Sequence, residues 1–296
     1  MNTAWLRTAR RIRRRRLLRW GVSGGLAFCV ALATYSLVEP RWVRVTRCRI
    51  AVPALPPEFE GTTVALLTDI HHGQYLAIGR VRSVVERTNA LGADVVALGG
   101  DYVYRGPQYI EPSIAELGKL RAKLGVYAVL GNHDHWEGAD RTRAALAAAA
   151  IRELTNTGVW LTKGSARIRL CGVDDLWEGR QDLTAALGDC GDAEAAILLS
   201  HNPDYVEEIR DSRVRLVLSG HTHGGQVNVP LVGPLVLPSR YGSKYAAGLV
   251  KTPHTQVFVS RGIGTIRPPV RFNCRPEIVL ITLVRGYPNR SGTARP

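Results

Sequence analysis

The sequence predicts an α/β fold in which two β-sheets form a sandwich covered by helices. Three observations carry this. From Thr62 to about Ala149, short Val- and Leu-rich runs alternate with stretches of helical periodicity, as in strand–helix–strand units. Beyond that point the chain is strand-rich, which calls for a second sheet. With 45% hydrophobic residues and 30 glycines in 296 positions, it has enough apolar surface for one sizeable domain plus a short appendage, and the composition argues against disorder.

Taken in order, residues 1–19 form a basic segment. Residues 1–49 hold twelve arginines against one glutamate, so they supply +11 of the net +14 and leave the body nearly balanced. A charge located in this way fits a membrane-proximal or targeting segment better than a nucleic-acid arm, and no nucleic-acid partner is expected. Residues 20–38, WGVSGGLAFCVALATYSLV, are uncharged and just long enough to span a bilayer as a helix. Two readings stay open. The run is either an uncleaved transmembrane anchor or a signal region removed after Ala31-Leu32-Ala33. Eight arginines precede it and four follow closely, which favours a cytoplasmic N-terminus and a domain beyond the membrane. Pro53, Pro56 and Pro57 lie in a stretch, residues 39–60, that reads as a linker. The domain is expected over 61–287 and a C-terminal tail over 288–296.

Within the domain, 64–69, 94–101 and 126–134 read as buried strands, with helices over 79–91, 110–123 and 139–153. Residues 159–173 read as a hairpin turning at Lys163-Gly164. Further strands are expected at 195–202, 214–223, 256–260 and 277–284. The five cysteines are scattered and form no C-x-x-C pair, so neither a disulfide framework nor a zinc ribbon is implied.

The chemistry-bearing residues sit where the apolar runs end: Asp69 and His71, Asp101, Asn132 with His133 and Asp134, His201, then His221 and His223. Ligands bind at the carboxyl ends of strands in open α/β sheets. Carboxylate and amide oxygens suit hard cations, while imidazoles suit Mn, Fe, Zn and Co. Two such ions can share a carboxylate and clamp a phosphoryl group.

D-x-H, G-D, G-N-H-D, a single His and G-H-T-H, in this order from about Thr62 onward, resemble the calcineurin-like metallophosphoesterase superfamily. SHNPD, SGHTHGGQ and the PPVRFN segment resemble its bacterial membrane-associated or secreted branch, of the YkuE and YaeI type, related to UDP-diacylglucosamine pyrophosphatases. The resemblance implies a four-layer α/β/β/α sandwich and two divalent metal ions (Mn, Fe, Zn or Co). One would be held by Asp69, His71, Asp101 and His223, the other by Asp101, Asn132, His201 and His221, with Asp101 bridging. His133 would stabilise the transition state or protonate the leaving oxygen. Asp134 would either orient His133 or stabilise the local turn. Arg267 and Arg271 would contact a substrate phosphate or remain solvated loop residues. The implied reaction is hydrolysis of a phosphodiester or pyrophosphate by a bridging hydroxide, on a substrate that is lipid-linked or of the cell envelope in one reading. A phosphomonoesterase and a catalytically silent metal-binding membrane protein are the alternatives. One departure stands out: the superfamily's frequent G-D-x-x-D has Tyr104 in place of the second Asp.

Overall fold

The computed structural model describes residues 3–286, with side chains for Arg13 and from Trp20 onward. The expected tail, 288–296, lies outside the described residues. Helix α1 (Thr3–Val38) carries the basic segment and the apolar run in one continuous stretch. From Trp20 it is long and apolar enough to cross a membrane, and none of that stretch is buried against protein. Glu39 ends it. This buried carboxylate accepts backbone hydrogen bonds from Asn273 (2.8 Å) and Cys274 (2.6 Å), tying the helix end to the domain.

Nearly half of the stretch expected as a linker is a strand. β1 (Arg44–Pro53) pairs in parallel with the last strand over ten residues, from Arg44 opposite Glu277 to Pro53 opposite Gly286. Arginines at 47 and 49 face solvent while Ile50 and Val52 are buried. The arginines therefore occupy the outward positions of an alternating strand, and their charge hides its period.

The remaining strands of the two large sheets are β2 (Thr63–Leu67), β3 (Val95–Leu98), β4 (Val126–Ala128), β5 (Arg152–Glu153), β6 (Thr157–Lys163), β7 (Ala166–Gly172), β8 (Ala196–Leu199), β9 (Val214–Ser219), β10 (Gly248–Lys251), β11 (Gln256–Val259) and β12 (Glu277–Gly286). One sheet runs β1-β12-β2-β3-β4-β5, and the second runs β10-β11-β9-β8-β7-β6. β2 through β5 are mutually parallel, as are β7, β8, β9 and β11.

Period-two alternation sorts each strand's side chains into layers. Val64, Leu66, Leu216, Leu218, Val279 and Ile281 meet between the sheets. Ala65, Leu67, Val96 and Leu98 face outward onto helices α2 (Ile78–Asn89), α3 (Ile110–Leu117) and α4 (Asn132–Ala148). Leu198, Val217 and Val259 pack outward under the short helix α5 (Leu183–Leu187) and Tyr205-Val206. The result is the expected four-layer sandwich, thick on one face and thin on the other. Several boundaries differ from the sequence expectation: the strands stop before the polar residues that follow them, and Arg152–Glu153, expected as helix, is β5. The third strand stops at Ala128, and Asn132 opens α4, which breaks at Gly138 (φ 134°). α3 ends at Leu117 rather than 123.

Candidate metal centre

β2, β3, β4, β8 and β9 stop short of the expected ligands, and the turns that follow aim them at one place. Five of the seven expected metal ligands, Asp69, His71, Asp101, His221 and His223, have φ between 49° and 70°. Non-glycine residues avoid this left-handed region, so its concentration here marks a backbone held in strain by its surroundings. Neighbouring glycines let the turns close up. A Cβ on Gly220 would strike Thr68 Oγ1 and Asp69 Oδ2, and one on Gly131 would strike Asp101 Oδ1.

The turns bring all seven residues together, and all seven are buried. They divide into two groups that meet at Asp101. In the first, His71 Nε2 lies 3.0 Å from His223 Nε2 and 3.4 Å from Asp101 Oδ2, and His223 Nε2 lies 3.5 Å from Asp69 Oδ1. In the second, His201 Nε2 lies 3.3 Å from the same Asp101 Oδ2 and 3.3 Å from His221 Nδ1, which is 3.0 Å from Asn132 Oδ1.

The backbone decides which nitrogens face inward. His71 Nδ1 donates to the Val103 carbonyl (3.3 Å) and His201 Nδ1 to the Gly99 carbonyl (2.7 Å). A carbonyl only accepts, so each Nδ1 carries the ring proton. The Nε2 lone pair of the neutral His71 ring would then point at the same carboxylate oxygen that faces His201 Nε2. Burial pushes His71 and His221 down to about 3, so both are neutral at physiological pH. Facing acceptors repel unless a positive centre lies between them. His201 registers the same demand: against the effect of burial, Asp101 draws its imidazole well above the ordinary value. The His221 Nε2 and His223 Nδ1 atoms are buried without hydrogen-bond partners among the described residues. A donor set of carboxylates, an amide oxygen and neutral imidazoles, arranged in two groups around a shared carboxylate, fits two divalent cations.

The comparisons with known proteins point the same way. The profile of the family described as calcineurin-like phosphoesterase matches residues 62–225. The chain belongs to that family. Over 251 residues it is 33% identical to the uncharacterized metallophosphoesterase YkuE of Bacillus subtilis, covering 83% of this chain and 87% of the relative. Over 253 residues it is 30% identical to phosphodiesterase YaeI of Escherichia coli, covering 83% and 90%. A bovine transmembrane protein with metallophosphoesterase domain is 31% identical over 256 residues, covering 81% of this chain and 56% of that protein. The family depends on two metal ions, and its members hydrolyse phosphate esters.

Against that family frame, the other expected site residues separate. His133 stands at the edge of the cluster, in an aromatic cage of His71 (4.7 Å), Tyr104 (5.2 Å) and Trp136 (4.6 Å). Its backbone N–H donates to Asp101 Oδ1 at 2.9 Å. Asp134 does not orient His133. Its carboxylate accepts from the backbone amides of Asp101 (2.7 Å), Tyr102 (2.9 Å) and Gly131 (2.9 Å), so it braces the turn that presents Asp101. Arg267 is exposed on the wall of a cleft of about 510 Å³ above the cluster. Arg271 is no substrate contact. It is fully buried and donates to the carbonyls of Arg261 (2.8 Å), Gly264 (2.7 Å), Cys274 (3.0 Å) and His223 (3.4 Å).

The cleft also contains residues the motifs did not indicate. Trp177 stands edge-on to His221 at 4.3 Å, from a loop with no sequence signal. Trp136 is legible in hindsight, three residues after His133 and so on its helix face. Tyr104, in place of the family's second Asp, lies 5.5 Å from His71, and its hydroxyl accepts from Arg267 N–H at 3.2 Å. His135 pairs with Asp174 (2.9 Å), His72 donates to the Leu76 carbonyl (2.8 Å), and His254 is exposed, so none of the three joins the cluster.

Proposed function

We propose that this protein is a dinuclear metallohydrolase that cleaves a phosphodiester or pyrophosphate presented at a membrane surface. The observation that carries the reading is the convergence of His71 Nε2 and His201 Nε2 on the single oxygen Asp101 Oδ2. Asp69, His71, Asp101 and His223 would hold one ion, and Asp101, Asn132, His201 and His221 the other. Such a metal pair, when bound, supplies Lewis-acid polarisation of the phosphoryl group and a water acidic enough to act at neutral pH.

The chain's own residues do the rest. Asp101 sets the spacing of the two halves, braced by Asp134 on its backbone amide. The carbonyls of Val103 and Gly99 fix the imidazoles that aim at it. His133 lines the cleft outside both groups, and burial pushes its imidazole below the ordinary value. In that neutral form it would hydrogen-bond the leaving oxygen through a ring N–H as the P–O bond breaks, and it would hand over a proton once an anionic substrate draws its imidazole up again. Arg105 and Arg267 flank the cleft and would attract an anionic substrate, while Trp136 and Trp177 offer it an apolar wall. The name of the Escherichia coli relative, phosphodiesterase YaeI, supports a diester over a monoester. The arginine bias around α1 supports an anchored domain on the extracytoplasmic side, with secretion after cleavage as the other outcome.

The test compares bis-p-nitrophenyl phosphate with p-nitrophenyl phosphate, using metal-stripped full chain in detergent resupplied with Mn, Zn, Fe or Co. Metal-restored hydrolysis favouring the diester is expected. Monoester preference would make it a phosphatase, and stoichiometric metal binding without turnover would overturn the enzymatic reading.

A further inference from the structure

Between the His221–His223 turn and Pro238 on the cleft wall, the chain leaves the sandwich as a small hairpin. Asn228–Val229 pairs antiparallel with Gly233–Pro234. Its tip and descending arm are apolar and uncovered: Leu231 is wholly exposed, and Val232, Leu235 and Val236 are 71%, 59% and 76% exposed. Soluble surfaces scatter such residues singly, and four within six positions form a patch that needs an explanation.

Its location supplies one. Tyr35 and Glu39, at the C-terminal end of α1, line the same crevice as Leu231 and Val232. Phe272 joins them: its ring meets Tyr35 edge-on at 5.7 Å, and its backbone pairs with Gln226 and Asn228 at the hairpin base. The Arg271 N–H donates to the Ser36 carbonyl at 3.0 Å, so the helix end is fastened to this corner. If α1 spans a bilayer, the membrane surface passes where the helix leaves it, beside the hairpin. Exposed Trp42, Arg41 and Arg275 surround that level. Tryptophan and arginine are the side chains that settle at an anionic lipid–water boundary.

We propose that the 228–236 hairpin is a second membrane contact, its apolar tip inserted among the acyl chains beside α1. The hairpin is continuous with the site. Asn228 Nδ2 donates to the Gly224 carbonyl (3.0 Å), next to His223, and Pro238, two residues beyond Val236, lines the catalytic cleft. Inserting the tip therefore sets the cleft at a fixed height over the lipid headgroups. The substrate class it fits is a phosphoester carried on a membrane lipid. This rests on the reading of α1 as a span and, for the substrate, on the phosphoesterase reading.

The test separates these. Full chain carrying Leu231→Trp is reconstituted into vesicles of phosphatidylcholine and phosphatidylglycerol, with and without brominated acyl chains. Leu249→Trp, exposed on the edge strand β10, is the control, and each is read against the six native tryptophans. The added Leu231→Trp emission should shift to the blue and be quenched at least about twofold, as expected for a side chain in the hydrocarbon boundary. The Leu249→Trp emission should not change. Equal, unquenched emission from both, or cross-linking of position 231 between two copies of the chain, overturns the proposal whatever the enzyme does. A second arm uses Leu231→Asp with Val232→Asp. Hydrolysis of a vesicle-borne phosphodiester lipid should fall about tenfold, since two apolar side chains lose their burial. Hydrolysis of bis-p-nitrophenyl phosphate should not change. Equal loss on both substrates would show that the hairpin serves the active site rather than the membrane. No hydrolysis of either substrate by the parent chain would fail the phosphoesterase reading and leave the quenching result to judge the hairpin.

Discussion

Asp101 is the residue on which the two halves of the cluster depend. One of its oxygens faces two imidazole nitrogens and the other holds the His133 amide. Asp101→Asn keeps the shape and removes the charge, so both metals should loosen and turnover should drop by more than about a hundredfold. His133→Ala removes a side chain outside both groups. Turnover should fall by about 10²–10⁴ with metal content intact. Metal analysis beside steady-state kinetics checks both, and loss of metal from His133→Ala would refute the role given to His133. The two arginines make a second residue-scale contrast. Arg271→Leu leaves four buried carbonyls without their donor and should cost about 3–5 kcal/mol of stability, read by denaturant unfolding. Arg267→Ala, on the exposed cleft wall, should raise KM and leave stability unchanged. Sequence alone could not separate these arginines, because burial at position 271 comes from the way residues 261–274 fold their carbonyls around it, against the carbonyl of His223.

At the scale of elements, strand ends were the readable feature. β2, β3, β8 and β9 are largely apolar runs that end two or three residues before an expected ligand, so both their positions and their site residues follow from the pattern. The N-terminus of α4 was less readable. Gly131-Asn132-His133-Asp134 continues the run of β4 in sequence, yet the Asp134 carboxylate accepts the Gly131 amide and turns the chain into a helix. β1 was invisible because its outward positions hold arginine and its partner lies more than two hundred residues away. What fixes that partner is Glu277. Its buried carboxylate accepts from Arg44, Thr46 and Arg261, joining β1 to β12 and the loop before it. Burial would raise its pKa, but Thr46 and the two arginines outweigh that and hold it below the ordinary value. A carboxyl depressed in the folded state adds stability above the ordinary carboxylate range and loses it as pH falls through the folded value. Wild type should therefore be more stable than Glu277→Gln by about 1–3 kcal/mol at neutral pH, and the gap should close below about pH 4. A gap that persisted under acid would assign the effect to packing instead.

For the whole molecule, the question is where the folded body begins. The proline-marked stretch suggested a start near residue 61, and the family match begins at residue 62. Folding physics puts the start earlier. Glu39 caps the loop amides of Asn273 and Cys274, and β1 supplies the outer strand of one sheet with Ile50 and Val52 in the inter-sheet core. Cutting after Val38 removes only α1, which touches the domain at its last turn alone, through Tyr35 and Ser36. Cutting after Pro53 removes β1, bares the long edge of β12 and opens the core beside Phe59 and Leu283. Two buried aliphatic side chains are worth about 3–6 kcal/mol, or a melting shift of about 10 °C in a domain of this size. Residues 39–296 should thus melt with the full chain and stay monodisperse. Residues 54–296 should melt about 10 °C lower and self-associate through the uncovered strand. Differential scanning calorimetry with light scattering reads both quantities. Equal melting of the two fragments would return β1 to the status of a linker that lies on the sheet without supporting it.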